Sequence, residues 1–299
     1  MALRWPWRGR KREPKPPWIV RLLRRRGIRL SPRAEWALGW LETIVVAGGA
    51  AWLIISFVTV RMTVPTGSMI PTVMPGDSFF VDRISYYFRQ PDVGDVIVFW
   101  HVEEIVVNAV RADSPAAAAG VLADDQLVEV AGEPVPSART LRRRIQAAQG
   151  GNLSLTLSRE GVGYVAAEVA VPPGATALSD LGLDADVRQA RYVKRLIAVG
   201  GQQVHIGPGG KILIDGQPAE EPRVASRTYS TRGPGMRYGI EPTTVPEGHY
   251  FVLGDNTMNS YDSRYWGFVP AEDFIGEPFF RVWPLARFGP MNGYLWASP

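Results

Sequence analysis

The chain of 299 residues contains no cysteine. Disulfides, thiolate metal centres and a cysteine nucleophile are therefore excluded in whatever compartment it works. Histidine is almost as scarce. His101, His205 and His249 stand far apart, and none falls in an HExxH or comparable ligand pattern. Each reads as an ordinary surface or strand residue, and nothing in the sequence implies a metal or a cofactor. Excess positive charge on the body of the chain is missing too, although the net charge is +4. Twelve Lys or Arg lie between Met1 and Arg33 against the single acid Glu13, so the remainder is mildly acidic. A basic tail on an acidic body does not suit nucleic acid as a partner.

What is present begins with an apolar run. From Trp36 to Val60 the only charge is Glu42, and the run is long enough to span a bilayer as a helix. It is longer than the core of a cleaved leader and lacks a small-x-small exit, which favours a retained anchor. Residues 1–35 then form a basic cytoplasmic tail and residues 36–60 a transmembrane anchor. Everything beyond Val60 is expected on the outer side of a bacterial cytoplasmic membrane, because the basic tail stays inside and only Arg61 follows the run directly. Trp18 to Leu30 has the composition of a basic interfacial helix on the inner leaflet of that bilayer.

Beyond the anchor, DVIVFW (Asp95 to Trp100), YVKRLIAV (Tyr192 to Val199) and HYFVLGD (His249 to Asp255) are short strand-type runs broken by Gly, Pro, Asn and Asp. This pattern predicts a mainly β domain made of residues 61–101 and 174–299. Between them, residues 102–173 turn Ala-rich. They hold a predicted helix at Ser137 to Gln149, with Leu141, Ile145 and Ala148 on one face and Arg142, Arg143 and Arg144 towards water. The stretch reads as a separate α+β domain inserted into the first.

Three segments offer chemistry. In VPTGSMIPTVMPGD, Pro65 and Gly67 force a tight non-helical backbone around Ser68, which could also be an ordinary loop serine. In RYVKRLIAVGG, strand alternation sets Lys194 on the face of Tyr192, Leu196 and Ala198, and Arg195 on the other with Val193 and Ile197. Burial there would lower the lysine pKa and free its amine as a general base; the plainer reading is an edge lysine reaching solvent. The Gly254 to Pro270 segment, GDNTMNSYDSRYWGFVP, is either a solvated loop or a scaffold of carboxylates, hydroxyls and Arg264 that orients a neighbouring amine.

The GSM-P-T block after an anchor, the GD-V-VF strand, the YxKR strand and the GDN-x-x-S-x-DSR-x-x-G loop resemble, in that order, those of type I signal peptidases. FFRVWPL is similar to that family's final strand. The resemblance covers about Val60 to Trp100 and Arg191 to Leu285, with departures at Thr66 and at Gly201-Gln202-Gln203. It implies a membrane-anchored serine endopeptidase, free of cofactor, that cuts signal peptides from exported preproteins. Ser68 would be the nucleophile and Lys194 the base, with the Ser68 N–H and the Thr66 hydroxyl as oxyanion hole. Ser260 would orient Lys194, and Asp262 would pair with Arg264. The peptide would lie extended between Met62–Pro65 and Arg191–Val193, touching Met62, Val64, Pro65, Met69, Tyr192 and Val193.

Within the insertion, the SPAxxAG block, the VxVxGxPV strand-turn and the Leu141 helix resemble a bacterial PDZ domain. That implies either a site for a peptide or protein partner or a rigid docking spacer. A narrower processing peptidase of conjugative or pilin type, and a catalytically silent scaffold, are the competing functions.

Overall fold

The computed structural model describes residues 17–27, 30–53 and 59–291. The chain divides into two compact units, Met1–Val58 and Thr59–Pro299.

In the first unit, α1 (Trp18–Arg25) buries Val20, and its Arg24 forms a forked ion pair with Glu35 at 2.6–3.0 Å. Helix α2 (Pro32–Leu53) starts with proline in its first turn, where the missing N–H costs nothing. Trp36, Trp40, Leu41, Ile44, Val45, Val46 and Trp52 of α2 are all exposed. No helix among the described residues is long and apolar enough to cross a membrane. Of the anchor expected over 36–60, residues 54–58 lie outside the described residues, as do 1–16 and 28–29 of the basic tail. Its expected end needs correction: Thr59 and Val60 are extended and paired with Asp82 and Val81.

The second unit is mainly β, as the sequence predicts. Its elements are β1 (Thr59–Thr63), β2 (Ser78–Asp82), β3 (Val96–Val110), α3 (Pro115–Ala118), β4 (Gln126–Val130), β5 (Glu133–Pro134), α4 (Ala138–Ala147), β6 (Asn152–Arg159), β7 (Gly163–Ala170), β8 (Leu183–Val199) and β9 (Gln203–Ile206). There follow β10 (Ile212–Ile214), β11 (Gln217–Pro218), α5 (Pro222–Ala225), β12 (Thr243–Thr244), β13 (His249–Leu253), α6 (Ser263–Trp266), β14 (Val269–Pro270), β15 (Phe274–Trp283) and β16 (Gly289–Pro290). Most strands join one antiparallel sheet in the order β1-β2-β15-β3-β4-β6-β7, with β8 on the other edge of β3. β9 to β12 form a separate four-stranded sheet.

The longest ladder joins β3 to β8, from Val96↔Arg195 to Val110↔Leu183. It runs through the boundary drawn at 101/102 and begins, on β8, ten residues after the one drawn at 173/174. β13 covers the other edge of β8 only from Arg195 to Val199, so its edge from Leu183 to Lys194 carries no strand among the described residues. One apolar cluster packs β1, β2 and the following turn (Met62, Val64, Met69, Val73, Phe79) against Val193. A second packs Ile97 and Phe99 against Leu196, Val252 and Trp266.

The inserted stretch has a core of its own, in which Leu141 and Ile145 of α4 meet β6 and β7. Ser137 caps α4 by accepting the Thr140 N–H at 3.2 Å. The core continues past residue 173 through Ala175, Leu178 and Leu181 to Leu183, because the start of β8 returns beneath α4. Arg144 does not face water as Arg142 and Arg143 do; it donates to the Val130, Glu133 and Pro134 carbonyls at 2.7–3.0 Å. The insertion is tied to the rest of the unit by Arg143 with Glu272 at 3.0 Å, by Arg139 on the Glu272 carbonyl and by Arg237 on Glu129.

Candidate active site

Ser68 stands on a turn that leaves β1 and is locked from below. Val64 donates to the Asp77 carbonyl at 2.9 Å, Gly76 returns to the Val64 carbonyl at 2.8 Å, and Met69 and Val73 are fully buried under the turn. Lys194 reaches the serine from β8, opposite Ile97. Its Nζ lies 2.8 Å from Ser68 Oγ and 5.1 Å from the centre of the Tyr192 ring, and the residue is only 3% exposed. Burial lowers the Lys194 pKa from 10.5 to about 8, the nearby Asp262 carboxylate opposing the fall and the Arg264 guanidinium adding to it. A shift of this origin leaves a useful fraction of free amine near neutral pH.

The Gly254–Pro270 segment is a scaffold rather than a solvated loop. Arg264 donates from Nε and Nη2 to the two carboxylate oxygens of Asp262 at 2.8 and 2.9 Å, with both residues buried. Asp262 also accepts the Gly254 N–H at 3.0 Å, and Ser263 Oγ accepts the Val252 N–H at 3.0 Å, which stitches the segment to β13. Arg264 Nη1 holds the Ser230 and Thr257 carbonyls at 2.9 and 3.0 Å. The buried charges of this pair are thereby matched by partners on both sides, as burial requires.

Ser260 is buried beside this pair, but no hydrogen bond joins its hydroxyl to Lys194. Its Oγ has no partner among the described residues, and its carbonyl accepts from Arg264 at 3.3 Å. Of the two residues expected to form an oxyanion hole, Thr66 is exposed and Ser68 half-buried, and neither the Thr66 hydroxyl nor the Ser68 N–H has an intramolecular acceptor among the described residues.

A groove of about 290 Å³ opens beside Ser68 and Lys194, between the end of β1 and the uncovered edge of β8. Of the residues expected to touch the substrate, Met62, Val64, Pro65, Tyr192 and Val193 line it. Met69 does not; it is fully buried in the core below, because the turn carries its side chain inward beside Val64 and Phe79. Glu103 and Tyr261 line the groove without having been foreseen.

Other functional positions escaped the sequence reading although they stand inside the quoted blocks. Asn256 clamps the turn, with its side-chain amide on the Gly67 carbonyl and its backbone N–H on the Ser68 carbonyl, each at 3.0 Å. The preceding Asp255 accepts Arg195 Nε at 2.7 Å, Arg227 at 2.9 Å and the Thr72 hydroxyl. A GDN tripeptide directly after a strand and an arginine directly after the lysine were the available signals. Among the described residues no cluster of acids or histidines could hold a metal ion.

The family model described as signal peptidase, peptidase S26, matches residues 37–283. A probable signal peptidase I-1 of Synechocystis is 29% identical over 85% of this chain and 86% of its own length. Signal peptidase I of Leptolyngbya laminosa is 27% identical over 84% and 82%. A crystal structure of a signal peptidase I from Enterococcus faecalis is 38% identical over 29% of this chain and 81% of its own, with a TM-score of 0.23.

Proposed function

The chain belongs to the signal peptidase family, peptidase S26, and from that premise we propose that Ser68 and Lys194 perform the hydrolysis as a Ser-Lys dyad. The protein is a serine endopeptidase that removes signal peptides from exported preproteins. The observation that carries the dyad is the 2.8 Å approach of a buried, pKa-lowered Lys194 amine to the Ser68 hydroxyl.

A serine hydroxyl is a weak nucleophile and needs a base within hydrogen-bond reach. Neutral Lys194 takes the Ser68 proton as Oγ attacks the scissile carbonyl. The negative oxygen that forms is met by the Ser68 N–H and the Thr66 hydroxyl, the two uncommitted donors beside it. The Lys194 ammonium then protonates the departing amine of the mature protein, and the regenerated amine activates water against the acyl-serine. Asp262 and Arg264 hold the scaffold around the amine. Ser260, whose buried hydroxyl is uncommitted, orients that amine as its proton comes and goes.

The substrate lies extended in the groove, adding a strand between Met62–Pro65 and the uncovered edge of β8 at Arg191–Val193. A groove of this size, about 290 Å³, suits small side chains next to the cut. The exposed apolar side chains of α2, from Trp36 to Trp52, support the reading of an N-terminal anchor in a bacterial cytoplasmic membrane, with the catalytic unit outside. Protease added to intact spheroplasts should then digest only the region after Arg61. For the insertion, a cleft of about 280 Å³ between Leu141 and Ile145 of α4 and Leu183 to Val187 of β8 supports a PDZ-like peptide or protein partner.

Incubation of the purified protein with several preproteins, together with sequencing of the new N-termini, tests the whole reading. Cuts after small residues, lost in Ser68→Ala, are expected. Cleavage that persists in Ser68→Ala would overturn the dyad.

A further inference from the structure

His101 takes no part in the chemistry above, yet it lies directly behind the groove. It sits on β3 opposite Ala190 and is 2% exposed. Its ring centre is 4.6 Å from that of Tyr192 on one side and 4.6 Å from that of Trp266 on another, with interplanar angles of 41°. The Tyr261 ring is 6.4 Å away, nearly edge-on. Tyr192 and Tyr261 line the groove, whereas Trp266 is buried at the end of α6, beside the Asp262–Arg264 pair. The imidazole therefore fills the space between a wall of the groove and the scaffold that carries the lysine-supporting loop.

We propose that His101 is a positioning residue that sets the width of the substrate groove by holding the Tyr192 ring forward, and so enforces the preference for small side chains. The proposal rests on the groove being the substrate site.

Three observations converge on it. Among the described residues the rings packed against Tyr192 are those of His101 and, at 6.3 Å and tilted, Phe99, so the imidazole is its nearest backing ring. The Nδ1 of the imidazole is buried without a hydrogen-bond partner among the described residues, so packing rather than a polar contact holds that edge of the ring. His101 is also uncharged across the working range, because burial, and then the Lys194 charge, push its pKa down to about 3. It acts by its flat shape and leaves the proton transfer to Lys194. Close-packed interiors transmit the loss of a ring to the neighbours that leaned on it. Truncation at position 101 should let Tyr192 fall back and deepen the groove.

The test compares wild type, His101→Ala and His101→Phe on peptides carrying Ala, Ser, Val or Leu at each of the three residues before the cut. In His101→Ala the kcat/KM of a Val peptide relative to the Ala peptide should rise about tenfold at one position, the scale of one methylene's fit in a pocket. His101→Phe, which restores a flat ring, should return the preference towards that of wild type. The pH dependence through Lys194 should be the same in all three, which a general loosening of the site would not give. If His101→Ala does not fold, His101→Asn carries the same comparison. An unchanged ratio in the folded truncation, or an equal shift in His101→Phe, overturns the proposal. Failure of wild type to cleave the Ala peptide would instead overturn the groove as the substrate site.

Discussion

Gly254 passes so close to Ser68 that a β-carbon on it would lie 2.5 Å from the Ser68 carbonyl oxygen. The same carbon would lie 2.1 Å from Ser260 Oγ. The requirement for glycine here is steric, since two parts of the site converge on one backbone atom. Gly254→Ala should push the serine turn away from Lys194 and lower kcat at least about a hundredfold, as expected for a misplacement near 1 Å. Single-turnover cleavage of a short signal-peptide analogue measures it; a loss under fivefold would mean the turn can yield without moving Oγ.

With Lys194 as the proposed base, its pKa near 8 predicts the pH profile of kcat/KM. In the proposed dyad only the free amine accepts the Ser68 proton, so kcat/KM should rise with unit slope and level off above pH 8. At pH 7 it should stand at about one-tenth of its plateau. Chelators should leave the profile untouched. A rate that falls as the pH is raised from 6 to 8 would exclude lysine as the base.

The same shift predicts a stability change of definite sign. The folded amine titrates near 8 against an ordinary 10.5, so below pH 8 a charged amine is buried at full cost. Between about 8 and 10.5 the folded state releases the proton while the unfolded chain keeps it, and stability rises with pH. Lys194→Met should be inactive yet more stable by about 3 kcal/mol at pH 7, with the difference vanishing near pH 11. Thermal unfolding of the detergent-solubilised protein at the two pH values provides the comparison.

Asp262 and Arg264 are a buried forked pair, and the guanidinium also holds the Ser230 and Thr257 carbonyls. Asp262→Asn leaves a buried guanidinium without its counter-charge, which costs about 3–5 kcal/mol. The unfolding midpoint should fall by roughly 6–15 °C. Replacing exposed Arg142, which lies outside any such pair, should shift it by less than about 2 °C.

The insertion can be removed only where its strands allow. Excision of 102–173 would leave the first half of β8 without its β3 partner. Joining Val102 to Gln189, which face each other in the ladder, by a two-residue Asn-Gly turn keeps the pairing below intact. Hydrolysis of a short peptide should stay within about tenfold of wild type, or 1.4 kcal/mol in barrier. A folded but inactive product would mean that the insertion helps to build the catalytic site.

Local pattern alone determined a good deal of this protein. The strand-type apolar runs became β3, β8 and β13, the spacing of Leu141 and Ile145 became α4 behind its Ser137 cap, and the turn around Ser68 follows from Pro65 and Gly67. Each is encoded within a few residues, where period and cap chemistry act. Alternation tells which side chains share a face but not whether the opposite face is also covered. Residues Val193 to Ala198 are buried on both faces, so Arg195 became an interior partner of Asp255 and Met69 a core residue rather than a groove residue. Desolvation of Lys194, the Asn256 clamp, the rings around His101 and the return of Leu183 to the insertion core each depend on segments far apart in the chain meeting in one interior. Only the tertiary structure decides which segments meet, because burial and close packing belong to the assembled fold and to no single stretch of sequence.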